Sequence, residues 1–251
     1  MNIVSLSRAV LFVCIFVLAS TVSRAQVQDG PVSRSRQTLL VLADGWDSRR
    51  GEMRLYERVP GGPWKQSGSP IPVVLGYNGL AWGLGLQGDP GSGPVKREGD
   101  GRSVAGIYRL GPVFGADPPQ GRKLKMPFRR ITESVECVDD PGSSRYNVML
   151  DASGIADKDW RSSETMFRFH DGEYRLGVEV EHNPPPAVPG GGSCIFLHVW
   201  RSPTSRTSGC TAMSQEDLER VTVWLDPDKL PLLAQYPESW RERFARAYGL
   251  P

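Results

Sequence analysis

The sequence predicts a mostly β fold, an antiparallel β-sandwich or flattened barrel with two helices near the C-terminal end. Three observations support this: short β-rich runs, clusters of turn residues between them, and helical periodicity only after residue 213. Gly (28) and Pro (21) are frequent without a collagen-like period, as in a chain with many turns. Hydrophobic residues make up 39 % and charged residues 23 %, so a sizeable core can form.

The first 25 residues have the organisation of a secretory signal peptide. Arg8 closes a short polar region, residues 9–19 are apolar, and Ser23–Ala25 fits the small-x-small cleavage rule. This apolar run is shorter than the ~20 residues that a membrane-spanning helix needs. We therefore expect cleavage after Ala25 and export to the periplasm or another extracytoplasmic compartment. No later segment of the sequence is long and apolar enough to cross a membrane.

The net charge of +2 belongs to this leader. Arg8 and Arg24 are its only charged residues, and without them 28 basic residues balance 28 acidic ones. A protein that binds polyanions normally has a basic surplus or stripe. The balance argues against nucleic acid as a partner.

The rest of the chain is expected to form a flexible arm over residues 26–36 and a single domain over residues 37–251. Alternating apolar residues in Tyr174–Val180 predict a strand with one buried face. The β-rich runs, separated by Gly, Pro, Asp and Asn, are Thr38–Leu42, Met53–Val59, Ile71–Leu75, Gly106–Leu110, Tyr146–Leu150, Glu173–Glu181 and Cys194–Trp200.

Two helices are predicted near the C-terminal end. Ser214 and Asp217 resemble a capping box, and apolar residues follow at helical spacing up to the stop at Asp226-Pro227. A second helix is expected from about Pro237 to Gly249, which would serve as its C-cap.

The cysteine count points to a free thiol. Cys14 leaves with the leader, so Cys137, Cys194 and Cys210 remain. Three thiols in an oxidising compartment form at most one internal disulfide. The remaining thiol is explained by catalysis, by burial as an inert residue or by an intermolecular bridge.

His198 and Cys210 form the pattern best suited to chemistry. His198 lies near the end of a predicted strand, and a tight loop then leads to Gly209 and Cys210. An imidazole can take the thiol proton so that the thiolate attacks a carbonyl. Gly209 allows a sharp turn, so N–H groups near Cys210 can point at the developing oxyanion. The alternative is that His198 is a hydrogen-bonded core residue and Cys210 an apolar filler.

A metal site is not predicted. On a strand, Cys194 and His198 are separated by four rises, roughly 13 Å, so they cannot bind one zinc ion. His170 and His182 fall in predicted loops and are expected at the surface.

Several segments, in order, resemble the L,D-transpeptidase catalytic domain family (YkuD-like, ErfK/YbiS-like). Residues 193–213 resemble its active-site signature, a strand His followed by a loop and a Ser/Thr-x-Gly-Cys nucleophile. Residues 96–108 are similar to the motif Gly-Asp-Gly-x-(Ser/Thr)-Pro-x-Gly that opens a strand in the family. Asp139–Pro141, Tyr146-Asn147 and the helix from Ser214 also match, so the resemblance covers roughly residues 38–236.

The chain departs from the family pattern near the nucleophile and in the earlier motif. Ser208 stands where the family usually has His, and Thr211 and Ala212 stand where many members have Arg. Val104 replaces the usual Pro of the earlier motif. Ser208 can keep a hydrogen-bonding role.

The resemblance implies a peptidoglycan enzyme with two acyl-transfer steps and no metal or organic cofactor. Cys210, activated by His198, would attack the carbonyl of the third stem-peptide residue, expel the terminal D-alanine and form an acyl-thioester for an acceptor amine. Ser208 and Gly209 belong to the implied catalytic turn. Arg201 and Arg206, in the same loop, are candidates to bind stem-peptide carboxylates. In some relatives an envelope lipoprotein is the acceptor or the released group.

Other functions remain open on the sequence. With water as acceptor, the same fold would act as an L,D-carboxypeptidase or hydrolase, and without catalysis it would be a wall-binding domain. In papain-like and NlpC/P60-like enzymes Cys precedes His, which is the reverse of the order here. A sortase shares the order, but its His lies much farther upstream and its Thr-Leu-x-Thr-Cys signature is missing. A disulfide between Cys137 and Cys194 would fit a nucleophilic Cys210, whereas one between Cys194 and Cys210 would contradict it.

Overall fold

The computed structural model describes residues 30–89, 91–169 and 172–251. The predicted signal peptide, the first residues of the predicted arm and His170 lie outside this part. The α-helices are α1 Pro31–Arg34, α2 Gln215–Trp224 and α3 Arg241–Tyr248. The strands are β1 Gln37–Ala43, β2 Arg50–Glu57, β3 Lys65–Val74, β4 Leu80–Trp82, β5 Ser103–Gly115, β6 Phe128–Arg130, β7 Val135–Val138, β8 Met149–Asp151, β9 Ser163–Thr165, β10 Gly177–Val180, β11 Phe196–Val199, β12 Thr211–Met213 and β13 Leu232–Pro237.

Eight of these strands form a closed ring. The order is β10, β11, β12, β3, β2, β1, β13 and β5, and β5 then pairs with β10. The mostly β, barrel-type prediction is confirmed. The antiparallel arrangement needs correction at two pairs of the ring, because β1 and β13 are parallel, as are β11 and β12. Outside the ring, β4 and β6 also pair in parallel with β5. Parallel neighbours require a crossover connection, and the loop between β11 and β12 is the one that carries Arg201 to Cys210.

The core lies inside the ring and under the C-terminal helix. Leu39, Leu40 and Val41 of β1 are all fully buried, as expected of a strand covered on both faces. Phe244 of α3 packs against Tyr236 of β13, with ring centroids 4.5 Å apart. These contacts fix the last helix on the barrel.

Both predicted helices are present. The Ser214 hydroxyl caps α2 by accepting a hydrogen bond from the Asp217 N–H at 3.1 Å. Helix α3 ends at Gly249, which has the left-handed φ of 64° that glycine adopts without strain. A 3-10 turn over Glu238–Trp240 precedes α3, so the α-helix begins four residues after the predicted start.

Three predicted strands are shorter in the structure. Only Met149 and Leu150 of the run Tyr146–Leu150 lie in a strand, which extends to Asp151. Asn147 adopts a φ of 63°, and its side-chain amide donates a hydrogen bond to the His182 carbonyl instead. Cys194 likewise has a φ of 53°, so the strand expected from Cys194 begins at Phe196. The run Glu173–Glu181 pairs only over Gly177–Val180, although its four alternating apolar residues are all buried as predicted.

The described part of the expected arm is packed on the barrel. Val32 is buried, and the Arg58 guanidinium donates hydrogen bonds to the carbonyls of Ser33 and Ser35 at 2.6 and 2.8 Å. The Arg36 N–H donates to the Lys229 carbonyl at 2.8 Å. Residues 30–36 are therefore held to the domain in the structure.

A small three-stranded sheet lies beside the barrel. Its order is β8, β7, β9, and Cys137 of β7 forms a disulfide with Cys194, two residues before β11. Cys210 is free and buried. The bridge therefore ties the small sheet to the segment that leads into β11. Within the three described ranges, no helix combines the length and apolar content needed to span a bilayer.

Candidate active site

The parallel pair β11 and β12 brings His198 and Cys210 to the same region. Leu197 pairs with Thr211, so Cys210, one residue earlier, lies beside Phe196. Phe196 and His198 are two residues apart on a strand and therefore point to the same face. The register of these two strands explains why His198 and Cys210, which are twelve residues apart in the chain, lie close together.

All six predicted site residues line one cavity of about 560 Å³. This volume lies in the range typical of small-ligand sites. The residues that the structure brings together there are Arg201, Arg206, Ser208, Gly209, Cys210 and His198.

The Cys210 thiol is protonated and hydrogen-bonded at rest. Burial, together with the nearby charge of Glu164, raises its pKa to about 12. The thiol donates to the Cys194 carbonyl at 3.6 Å, and the Phe196 N–H donates to the sulfur at 3.3 Å. Ionisation of this thiol near neutral pH therefore requires a base that takes its proton.

The His198 imidazole is suited to act as that base. It is buried, and burial lowers its pKa below the ordinary value of 6.5. Its Nδ1 lies 2.8 Å from the Val199 carbonyl, an acceptor, so Nδ1 carries the proton. The Nε2 lone pair is then available. In the described ranges the thiol and the imidazole share the cavity without a direct hydrogen bond between them.

The backbone at Cys210 is fixed by two hydroxyl groups that donate to its carbonyl. Ser103 donates at 2.7 Å and Thr207 at 2.6 Å. Ser103 also accepts from the Gly76 N–H at 2.8 Å. The Gly209 N–H donates to the Thr207 hydroxyl at 3.2 Å. Ser103 stands at the Ser/Thr position of the motif in residues 96–108.

Replacing Ser103 by alanine is expected to lower the free energy of unfolding by about 1–3 kcal/mol, because a buried N–H and a buried carbonyl lose a shared partner. Urea denaturation measures this change. Ser103→Thr, which keeps the hydroxyl, should recover most of it. Equal stability of wild type and Ser103→Ala would show that the hydroxyl does not hold the Cys210 turn.

A largely buried ion pair lies next to the turn at Gly209 and Cys210. The side chain of Lys96 is 4 % exposed and forms a salt bridge with Asp100. The Asp100 carboxylate also accepts the N–H groups of Arg97 and Arg102. A methyl group added to Gly209 would lie 3.5 Å from the Lys96 Nζ. The positive charge therefore lies close to the catalytic turn, where it favours the thiolate of Cys210.

Among the other residues that line the cavity, Glu164 and Tyr174 lie beside the thiol and the imidazole, and the sequence did not indicate this. Glu164 of β9 lies close enough to Cys210 to raise the pKa of the thiol, and it is hydrogen-bonded to Tyr174. The Tyr174 ring contacts His198 edge-on, with centroids 5.4 Å apart. The alternating pattern around Tyr174 indicated burial, but no sequence signal placed either residue beside the thiol.

The two predicted arginines differ in their pairing. Arg201 forms a salt bridge with Glu173, whereas Arg206 is exposed and has no ion-pair partner in the described ranges. Arg206 is therefore the more available of the two for an anionic ligand.

His182 corrects a sequence expectation. It is 1 % exposed rather than at the surface, because its Nδ1 accepts the Leu84 N–H at 3.2 Å and its Nε2 donates to the Gly191 carbonyl at 3.0 Å. Burial lowers its pKa to about 4. It holds two loops together as a neutral residue. Among the described residues, no group of three or more His, Cys, Asp or Glu side chains is placed to bind a metal ion.

A free thiol and a buried imidazole in one cavity of a mostly β barrel have the composition of a cysteine acyl-transfer site. Comparison with known families matches residues 32–232 to YkuD, the L,D-transpeptidase catalytic domain. Since the match spans most of the chain, the chain belongs to this family, whose members act on peptidoglycan. Searches among curated proteins and among solved structures gave no significant match.

Proposed function

We propose that this protein is an exported L,D-transpeptidase that modifies peptidoglycan through an acyl-thioester on Cys210. The observation that carries the proposal is the arrangement of Cys210 and His198. The chain has one free thiol among its described cysteines, and that thiol lines a cavity with a neutral imidazole. The family match supports the reaction type.

In the first step, Nε2 of His198 takes the proton of the Cys210 thiol as the sulfur attacks the carbonyl of the third stem-peptide residue. The hydrogen bond from Nδ1 to the Val199 carbonyl keeps the tautomer that leaves Nε2 free. His198 then gives the proton to the departing D-alanine nitrogen. The product is an acyl-thioester with a neutral imidazole beside it.

In the second step, an acceptor amine attacks the thioester and His198 takes a proton from its nitrogen. The thiolate leaves and recovers that proton. A stem-peptide amine as acceptor yields a cross-link, and water yields L,D-carboxypeptidase or hydrolase activity. Attachment or release of an envelope lipoprotein is the same chemistry with a different amine.

Arg206 and Arg201 are proposed to bind the carboxylates of the donor peptide. Both line the cavity near the nucleophile. Arg206 is the stronger candidate, since Glu173 already neutralises Arg201. Ser208, exposed beside Gly209, is proposed to offer a hydroxyl where the family usually has an imidazole.

The organisation of the chain is proposed to be a leader over residues 1–25, an arm over residues 26–36 and a single domain over residues 37–251. The disulfide between Cys137 and Cys194 supports export, because such bridges persist in oxidising compartments. The periplasm or another extracytoplasmic compartment satisfies that condition.

The proposed function is tested by incubating residues 26–251 with tetrapeptide muropeptides and following the products by mass spectrometry. We expect release of D-alanine and an acyl group on the peptide that contains Cys210. Binding to peptidoglycan without either product would identify a wall-binding domain and overturn the enzymatic proposal.

The pH dependence of the first step follows from the two shifted groups. Burial lowers the pKa of His198 and raises that of Cys210 to about 12, so at neutral pH both are uncharged. The rate of D-alanine release, as kcat/KM, should be level above pH 6.5 and fall only below it, when His198 becomes protonated. A rate that instead rises through about pH 8.5, the ordinary thiol pKa, would show that a preformed thiolate attacks. Near-UV circular dichroism at each pH controls for unfolding.

A further inference from the structure

The dipeptide Tyr146-Asn147 belongs to the segments that resemble the family, but the reaction described above gives it no role. Both side chains contact the segment that leads into β11. The Asn147 Oδ1 accepts a hydrogen bond from the Cys194 N–H at 2.8 Å, and the Tyr146 hydroxyl accepts one from the Gly192 N–H at 3.0 Å. The dipeptide therefore holds the backbone on both sides of Ser193.

The Asn147 side chain joins this segment to the loop that follows β10. Its Nδ2 donates to the His182 carbonyl at 2.7 Å and to the Asn183 carbonyl at 2.8 Å, while its Oδ1 accepts from Cys194. An amide can donate and accept in this way, whereas a carboxylate only accepts. The backbone of Asn147 has a φ of 63°, a left-handed conformation in which Asn is enriched. Residue type and backbone conformation at this position therefore agree.

Cys194 is held at three points, and its carbonyl is directed at the nucleophile. Its N–H is bonded to Asn147, its sulfur is bonded to Cys137, and its own φ is 53°. A non-glycine residue persists in this conformation only where the surrounding contacts hold it, and such residues cluster at active sites. The Cys194 carbonyl accepts the Cys210 thiol at 3.6 Å.

We infer that Asn147 is a positioning residue for the nucleophile, because it holds the Cys194 backbone so that the Cys194 carbonyl fixes the Cys210 sulfur for attack. This inference rests on the proposed function. In the described ranges the sulfur has two hydrogen-bond partners, the Cys194 carbonyl and the Phe196 N–H. Phe196 belongs to β11, whose pairing fixes its backbone. Cys194 precedes the strand, so its backbone depends on the Asn147 side chain.

The position of the sulfur matters because it is set by one torsion. The Cys210 side chain has three staggered χ1 positions, and only a sulfur that faces both the substrate carbonyl and His198 reacts. The carbonyl of Cys194 selects one of these positions before substrate binds. Loss of Asn147 would therefore lower the rate of the chemical step rather than the affinity for the donor, since Asn147 does not line the catalytic cavity.

Asn183 provides a matched control for a role in stability alone. It has a φ of 49°, and its side chain also makes three hydrogen bonds, donating to the Val188 and Gly192 carbonyls at 3.0 and 3.1 Å and accepting from the Val188 N–H at 2.8 Å. None of these bonds involves Cys194. Glycine at either position adopts the left-handed backbone without strain, so Asn147→Gly and Asn183→Gly each remove three hydrogen bonds but only the first releases Cys194.

The test measures how fast residues 26–251 become acylated by a tetrapeptide donor, with mass spectrometry of the intact protein over time and over donor concentration. In Asn147→Gly the rate at saturating donor should fall about tenfold or more, since misplacement of a reacting group by about 1 Å can cost about 100-fold. The donor concentration that gives half of this rate should change by less than about threefold, as for an interaction that acts on the chemical step alone. Asn183→Gly should keep the saturating rate within about twofold of wild type.

A second variant isolates the bond to Cys194. Asn147→Asp keeps an oxygen acceptor for the Cys194 N–H and a residue type that tolerates the left-handed backbone, but it loses the donors to His182 and Asn183. Its saturating rate should stay within about threefold of wild type, although urea denaturation should show lower stability, because two carbonyls lose their donors. This variant tests the inference even where Asn147→Gly does not fold.

The outcomes separate this inference from the proposed function. If wild type forms no acyl-enzyme on Cys210, the proposed function fails and the inference fails with it. If wild type is acylated and Asn147→Gly is acylated at the same saturating rate, the inference alone is overturned. An equal fall in Asn147→Gly and Asn183→Gly overturns it as well, because the loss would then follow from lower stability. A fall in Asn147→Asp as large as in Asn147→Gly has the same meaning for the bond to Cys194.

Discussion

Replacing Cys210 by alanine is expected to abolish D-alanine release and acyl-enzyme formation, with a loss of about 10³-fold or more in kcat. The sulfur is the atom that bonds to the stem peptide, and no other free thiol occurs in the described residues. The variant should remain folded, because the carbonyl of residue 210 still accepts from Ser103 and Thr207. Mass spectrometry of the intact protein after incubation with a tetrapeptide donor measures the acyl-enzyme.

Two companion variants sharpen this prediction. His198→Ala should slow acylation by about 10²–10⁴-fold, the usual contribution of a general base. Ser205→Ala, a small change at the wall of the same cavity, should retain most activity. D-alanine release by Cys210→Ala at the wild-type rate would refute the assignment of the nucleophile.

Removing the disulfide should produce the largest change in stability. The bridge joins residues that are 57 apart in sequence. Closing a loop of this length lowers the entropy of the unfolded chain, so the double variant Cys137→Ala, Cys194→Ala should lose about 4 kcal/mol of unfolding free energy. Urea denaturation of the oxidised wild type and the double variant, both under non-reducing conditions, measures the difference.

The same double variant should also lose activity. The Cys194 carbonyl accepts a hydrogen bond from the Cys210 thiol, and β9, which pairs with β7, carries Glu164 in the wall of the cavity. Without the bridge these groups are held only by strand pairing and packing. A double variant as stable and as active as wild type would show that the bridge holds neither the fold nor the site.

The sequence predicted the nucleophile region because its signals are local. Ser208, Gly209 and Cys210 are consecutive, and the β-branched and aromatic residues before them indicate a strand that ends near His198. The cap at Ser214 and the glycine at Gly249 are likewise local, and both helices lie where these residues indicate. Elements specified by neighbouring residues were therefore predicted closely.

The remaining parts depend on contacts between distant segments. Strand β13 has the sequence Leu-Leu-Ala-Gln-Tyr-Pro, which has little β-branched content, and it becomes a strand by pairing with β1 and β5 on its two sides. Ser103 reaches the Cys210 carbonyl across 107 residues. Glu164 enters the cavity through the small sheet. No periodicity in the sequence indicates these contacts between residues that are distant in the chain.

The closure of the ring determines which strand edges are available to pair with another protein molecule. A sheet edge exposes unpaired backbone groups that can template strand addition and aggregation, and short edges limit this. In the described ranges, every ring strand has two neighbours, but β3 meets β12 only at Val74, so residues 65–73 of β3 have a strand on one side alone. The other strands left at edges, β4, β6, β8 and β9, are each three residues long. The open side of β3 contains Pro70 and Pro72, which lack the N–H groups that an added strand would pair with. The longest edge in the described ranges is therefore poorly suited to template edge-to-edge polymerisation, even though the strands are rich in apolar residues.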